Sequence, residues 1–318
     1  MIQQKVDIKA EFDEYFWRKM YPLMAEKEKV RQRYVSDFKK LLVISLFVLP
    51  AIIYLLCNIL YYAGDDGTVI GNLILAAITI NVFIIRGPAV RYKRRVKNDM
   101  MNCFIKFFDE FKYEYGRGLN LHEMEDLYIF PNADECVVDD CFFGVYNGVN
   151  VKVCEQQLIK KIKTSKGSKK VTVFAGIILE LDMNKNFSAH TFVIKDKGIL
   201  NRLNGKKGFE RVALEDVTFE KEFEAYCQNQ IEARYLLTTA FMERMLKLKK
   251  LYKGSDIQFS FVNSKVIIAI NTGKNMFEPC SLFKSNLQEK QIYQVFEQFM
   301  TIFKIVDILK LYQKNVTL

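Results

Sequence analysis

Cys136, Cys141 and Cys154 lie close enough in the chain to raise the question of a metal centre. Structural zinc asks for two pairs of ligands, each pair with only a few residues between its members. These thiols are five and thirteen residues apart, and His122 and His190 are the only imidazoles in the chain. No metal and no cofactor is therefore expected, and alternation along the segment makes the thiols buried and inert. A run of acids from Glu123 through Glu125, Asp126, Asp134, Glu135 and Asp139 to Asp140 lacks the ligand spacing of a calcium loop. It reads as a solvated linker into the first strand. Ser188 and His190 would suit nucleophilic catalysis, but no nucleophile elbow surrounds them. A phosphate-binding loop, a dinucleotide fingerprint and an HExxH pair are all missing. Lys160, Lys161, Lys163, Lys166, Lys169 and Lys170 form a cationic tip that offers contact to an anionic ligand, without the interleaved aromatics used to stack bases.

The elements that must hold these residues begin with two uncharged stretches, 41–63 and 69–85. Of the 23 residues from Leu41 to Ala63, 14 are Leu, Ile, Val or Phe, and of the 17 from Val69 to Ile85, 11 are. The first spans about 35 Å as a helix, against a hydrocarbon core of about 30 Å. Both are expected to cross a membrane as a hairpin whose turn carries Asp65 and Asp66. Basic residues flank the hairpin's other end: Lys39 and Lys40 before it, Arg86, Arg91, Lys93, Arg94, Arg95 and Lys97 after it. Basic flanks stay on the cytoplasmic side. The expectation is a multi-pass protein of the cell inner membrane with both termini cytoplasmic. Seven cysteines, an odd number, suit a reducing compartment without disulfides. The net charge of +10 is met largely by the cluster Arg86 to Lys97, which can engage anionic headgroups. Nucleic acid is not needed to explain it.

Four segments follow: a cytoplasmic helical segment 1–40, the hairpin 41–85, a juxtamembrane helix 86–115, and a cytoplasmic α+β domain 116–318. Pro22 suits a first helical turn, after which Leu23, Val30, Tyr34 and Phe38 recur at helical spacing. Val96, Met100, Phe104, Phe107 and Phe111 do the same on the other side, predicting a two-helix stalk. The aromatics Phe12, Tyr15, Phe16 and Trp17 fit either the headgroup region or packing on protein. In the domain, Asn147-Gly148 and Asn263-Ser264 predict hairpin turns, and Val171 to Leu181 predicts a long buried strand. Shorter strands are expected at His190 to Ile194, Arg211 to Leu214 and Phe223 to Tyr226. Thr238 or Thr239 should cap one helix, and Gln288 to Tyr312 should form a long amphipathic one. This order predicts an antiparallel sheet with helices on one side.

The runs FEKEFEAYCQNQIEARYLLTTAFMERM (Phe219 to Met245), SFVNSKVIIAI (Ser260 to Ile270), MFEPCSLFK (Met276 to Lys284) and FAGIILELDMNKNF (Phe174 to Phe187) resemble the two-span bacterial membrane proteins of domain-of-unknown-function family 3137. Met183 stands where Phe is more usual there. The resemblance implies two spans ahead of a domain and carries over no catalytic residue. Within the matching runs, Glu232 and Arg234 read as an internal ion pair. Phe277, Glu278 and Pro279 read as a strand ending in a turn. Were the chain an enzyme, Glu232, Arg234, Glu278 and His190 would be the residues to test first. The favoured reading is a membrane-anchored interaction or scaffold module with a protein partner at the cytoplasmic face. A membrane-tethered hydrolase or transferase and a homo-oligomeric pore are the alternatives.

Overall fold

A computed structural model of the protein describes residues 2–62, 68–165, 167–196, 208–214, 216–252 and 254–311. Asp65, Asp66, Lys166 and Tyr312 lie outside the described residues. The chain divides into a helical unit, Met1–Phe107 with Glu278–Tyr293, and a sheet unit, Phe108–Phe277 with Gln294–Leu318.

The helical unit contains α1 (Ile2–Tyr15), α2 (Tyr21–Tyr62) and α3 (Thr68–Ile105), with a π-helical turn at Phe16–Met20 between the first two. Pro22 lies in the first turn of α2, as its spacing predicts, but that turn is entered from a π-helical turn and not from a loop. The proline has no N–H to give the carbonyl four residues back, and its ring crowds that carbonyl. The chain absorbs this with the wider turn, in which the Tyr21 N–H reaches back to Phe16 O. At 42 and 38 residues, α2 and α3 are about 63 and 57 Å long, roughly twice a hydrocarbon core. Both are long and apolar enough to cross a membrane. The family of aromatics near the N-terminus packs on protein: Phe12 sits edge-on to Phe104 at 5.9 Å and to Tyr293 at 5.7 Å, and the Tyr15 hydroxyl donates to Cys103 O at 2.7 Å. Trp17 alone of that group is largely exposed. Beyond the apolar stretch α2 and α3 stay paired, with Tyr34 against Tyr92 at 5.7 Å and Lys27 bonded to Asp99 at 2.7 Å.

Helix α3 ends at Ile105, so Phe107 and Phe111 do not continue its face. Phe111–Tyr115 is a strand, β1. Its alternating aromatic and charged residues favour the pleat over the helix once a partner strand is present, and it pairs in register with β2 (Glu135–Tyr146). Long strands β3 (Val149–Thr164) and β4 (Gly167–Asp182) follow. Next come β5 (Thr191–Lys195), β6 (Glu210–Arg211), β7 (Phe223–Cys227), β8 (Asp256–Val262) and β9 (Lys265–Asn271). Of the strand expected over Arg211 to Leu214, only Arg211 lies in β6. Among the described residues the nine strands form one sheet in the order β1-β2-β3-β4-β9-β8-β5-β7-β6. Every pairing is antiparallel. Asn147, Gly148, Asn263 and Ser264 all have positive φ, as the two tight hairpins require.

One row crosses seven strands: Phe142, Val153, Leu179, Ile268, Phe259, Val193 and Ala225 are direct register partners, each at most 2% exposed. Two helices cover this face. Helix α7 (Thr239–Leu251), capped by Thr238, buries Phe241, Met242, Met245 and Leu248, with Phe241 edge-on to Phe261. Helix α8 (Glu289–Leu309) lays Phe299 against Phe142 at 5.2 Å and Phe111 at 5.4 Å. Phe277 anchors the same cluster but is not in a strand. Its φ is +51° and its N–H donates to the Gln298 side chain. The opposite face is covered by α4 (Leu121–Asp126) and the segment after it, through Met124, Leu127 and Ile129. Helices therefore lie on both faces. The acidic run is no linker, since it supplies α4 and the start of β2, and Asp140 is buried with the Tyr113 hydroxyl donating to it at 2.8 Å. Two short helices, α5 (Val217–Glu220) and α6 (Gln230–Leu236), flank β7.

Candidate functional site

On the face under α4, strand alternation brings side chains of small size and mixed polarity together. Ala269 stands beside Ile178 and Gln258 in the sheet, and the next rung holds Gly176, Asn271 and Asp256. Bulky residues at those rungs would fill the face. Instead a groove of about 310 Å³ remains, at the small end of ligand-sized cavities. Its floor is Asp256, Gln258, Ala269 and Asn271 of the two middle strands β8 and β9, with Phe174 of β4 on one side and Phe192, Ile194 and Tyr226 of β5 and β7 on the other. The segment Tyr128 to Pro131 forms the rim.

The aromatic wall is ordered. Phe192 stacks on Tyr128 at 5.6 Å and on Tyr226 at 5.3 Å, while Phe209 closes on Tyr128 at 4.8 Å. Tyr128 holds this place with a φ of +58°, a conformation that costs a bulky residue about 1–2 kcal/mol. The Tyr226 hydroxyl donates to Glu224 Oε2 at 3.1 Å, and Glu224 is itself buried. On the polar floor, Lys195 Nζ donates to Asp256 Oδ1 at 2.7 Å and Asn271 Oδ1 accepts from the Ala175 N–H at 3.3 Å. The groove thus offers a floor of hydrogen-bonding groups between aromatic side chains on both sides.

The residues named from the sequence do not meet there. His190 Nε2 lies 2.7 Å from Ser260 Oγ, both buried, and burial lowers the histidine pKa against a weaker pull from Asp126. A fully buried Ser260 cannot present itself to substrate. Glu232 is a backbone latch and not the partner of Arg234: it accepts from the Ser188 N–H at 3.0 Å and the Ala189 N–H at 2.8 Å. Glu278 belongs to the helical unit, where Lys93 and Lys97 approach it at 3.0 and 2.8 Å. Lys97, only 2% exposed, is therefore no headgroup ligand, and Lys93 is partly committed. Arg86, Arg91, Arg94 and Arg95 remain exposed. The lysine tip is no loop: β3 and β4 continue to Thr164 and Gly167, so Lys160, Lys161, Lys163, Lys169 and Lys170 stand on a strand ladder. Lys161 and Lys170 both bond Glu135, at 2.9 and 2.7 Å, while Lys160, Lys163 and Lys169 are exposed. Cys141 and Cys154 are paired cross-strand neighbours and remain free thiols. The hydrogen bond between them and burial both push the Cys141 thiol up, away from reactivity.

The groove residues were missed in the sequence because each is ordinary alone. The available signal was alternation in β8, which puts Asp256, Gln258 and Ser260 on one face and Ile257, Phe259 and Phe261 on the other.

Residues 172–311 match the model of DUF3137, a protein of unknown function. The two long apolar helices lie ahead of the matched residues. A crystal structure of the mycobacterial trehalose monomycolate transport factor A, TtfA, is similar at a TM-score of 0.35 and 10% identity, covering 68% of this chain and 97% of that chain. No curated protein matches.

Proposed function

We propose, for a chain whose residues 172–311 match a family of unknown function, that α2 and α3 cross the inner membrane as a hairpin and hold a cytoplasmic binding module. The observation that carries this is the solvent exposure of the apolar stretch. From Leu42 to Ile59 and from Val69 to Ile84, large aliphatic and aromatic side chains face outward, Phe47 at 70% and Phe83 at 82% exposed. A soluble protein rarely shows a contiguous patch of that extent. The basic residues Lys39, Lys40, Arg86 and Arg91 lie at the end of the stretch that positive-inside bias assigns to the cytoplasm. In this reading the groove beside Ala269 receives an apolar or aromatic side chain of a protein partner, with donors of that partner meeting Asp256 and Asn271.

Two measurements test it. Alkaline phosphatase inserted between Asp65 and Asp66 should be active, and a fluorescent protein fused after Leu318 should fold; the reverse pattern overturns the topology. Gln258→Trp, which fills the groove from a half-buried position, should abolish a photo-crosslink formed from residue 194 in membranes while leaving the unfolding transition in place. No crosslinked species in the wild type would remove the binding reading. The enzymatic alternative is the weaker reading, since Glu232, His190 and Glu278 bond at three separate places in the fold.

A further inference from the structure

The segment 278–288 returns to the helical unit and is pinned there residue by residue. Arg31 donates to Leu282 O at 2.9 Å, and the Asn286 N–H donates to Glu28 Oε2 at 2.8 Å. The Tyr92 hydroxyl donates to Asn286 Oδ1 at 2.8 Å, and Lys93 and Lys97 hold Glu278. Pro279, Cys280, Leu282 and Asn286 are buried by this docking. Between the anchors the segment turns outward: Phe283 is 69% exposed, Leu287 is 41% exposed, and Lys284 is exposed beside them. A loop fixed by five polar contacts, two of them to a buried glutamate and a buried asparagine, is not a frayed strand of chain. It displays Phe283 in a set position.

That position is level with the start of the apolar stretch. The Phe283 ring lies edge-on to Phe38 at 5.4 Å. Phe38 precedes Leu41 by three residues, about 4.5 Å along the helix. Lys39 and Lys40, which follow Phe38 directly, are exposed, as is Lys284, which follows Phe283. An exposed aromatic with lysines around it, at the foot of an apolar column, has the chemistry of an interfacial membrane anchor.

We infer that the segment 281–288 is a third membrane contact of the chain, in which Phe283 and Leu287 enter the interfacial layer of an anionic bilayer and Lys284 meets its headgroups. The inference rests on the reading that α2 and α3 cross that bilayer. By this contact a loop that leads directly into α8, and hence into the sheet unit, senses the membrane surface without spanning it.

The test uses the full chain in nanodiscs of phosphatidylcholine and phosphatidylglycerol. Trp17→Phe removes the single native tryptophan, and Phe283→Trp then reports on the loop. Its emission should be blue-shifted and should lose intensity to a nitroxide high on the acyl chain, with less loss to one near the bilayer centre. In the same background Phe47→Trp should show the opposite depth preference. Emission from Trp at 283 that is unquenched, whether solvent-like or blue-shifted by protein burial, overturns the inference if Trp at 47 is quenched. Failure of both overturns the spanning reading instead.

Discussion

The helix pair treats apolar side chains in two opposite ways along its length. From Leu42 to Ile59 and from Val69 to Ile84 most of the large ones are exposed, and the stretch from Leu41 to Ala63 holds no Asp, Glu, Lys, Arg or His. Below it, from Tyr92 to Phe104, the same residue types are buried, and so are charged and polar ones: Lys97, Glu28 and Asn286 are each enclosed with a partner. A buried polar group must be bonded to be tolerated. The lesson is that hydropathy alone does not separate a membrane span from a buried stalk. The stalk is marked by charges that find partners inside it.

The largest test of this difference is truncation on both sides. Phe104→Ala removes a fully buried ring that packs on Phe12, and should cost about 3–5 kcal/mol in denaturant unfolding followed by Trp17 fluorescence. Phe83→Ala, at a side chain 82% exposed, should cost less than about 0.5 kcal/mol in the same detergent-solubilised protein. Equal losses would mean that both stretches are packed on protein. Next in size, Ile52→Lys, at the middle of the stretch 41–63, should cost about 3–4 kcal/mol of membrane insertion in a glycosylation-mapping assay. Asn98→Lys, at an exposed stalk position, should leave insertion unchanged.

Much of this division was legible in the sequence, and the places where it was not share a cause. The apolar stretches, both tight hairpins and the buried face of α8 follow from local periodicity and turn chemistry. The basic cluster reads as one surface in the sequence because Glu278, which holds Lys93 and Lys97, lies about 180 residues away and periodicity cannot show it. Phe111 kept the helical period and still became β1, because pairing with Gly144 is not visible from either segment alone. The groove escaped for the same reason. Its floor depends on Ala269 and Asn271 coming into register with Gln258 and Asp256, whereas the catalytic candidates Ser188 and His190 are conspicuous as neighbours and bond elsewhere.

A smaller effect separates the two lysines of the stalk. Lys97→Met deletes a charge-assisted bond from a side chain that is 3% exposed, and should cost about 1.5–3 kcal/mol. Lys93→Met deletes a bond to the same carboxylate from a side chain 44% exposed, and solvent screening should hold its cost below about 1 kcal/mol. Thermal unfolding of the two variants in parallel decides the order. If Lys93→Met costs as much, Glu278 is held from the solvent side and the stalk interior is less closed than its burial implies.

The smallest and most specific effect is acid sensitivity confined to the stalk. Hydrogen bonding from Arg31 holds the Glu28 pKa below the ordinary glutamate value, with the Asn286 N–H adding to it and burial opposing. A carboxylate whose folded pKa is depressed stabilises the fold fully above its unfolded value, about pH 4.3, and loses that contribution as pH falls through the folded value. Glu28 also accepts from the amide of Asn286, so its protonation should loosen the segment 278–288 before it affects the apolar stretch, which contains no carboxylate to titrate. Hydrogen exchange at the Asn286 amide, corrected for intrinsic rates, should therefore accelerate below about pH 4.3 in the wild type. Glu28→Gln keeps the shape and cannot titrate, so its protection should be lower at neutral pH and level through the same window. A wild-type amide that stays protected while the variant is indistinguishable from it would mean that Tyr92 and Leu282 hold the loop unaided, and that the buried carboxylate of the stalk is tolerated there without fixing anything.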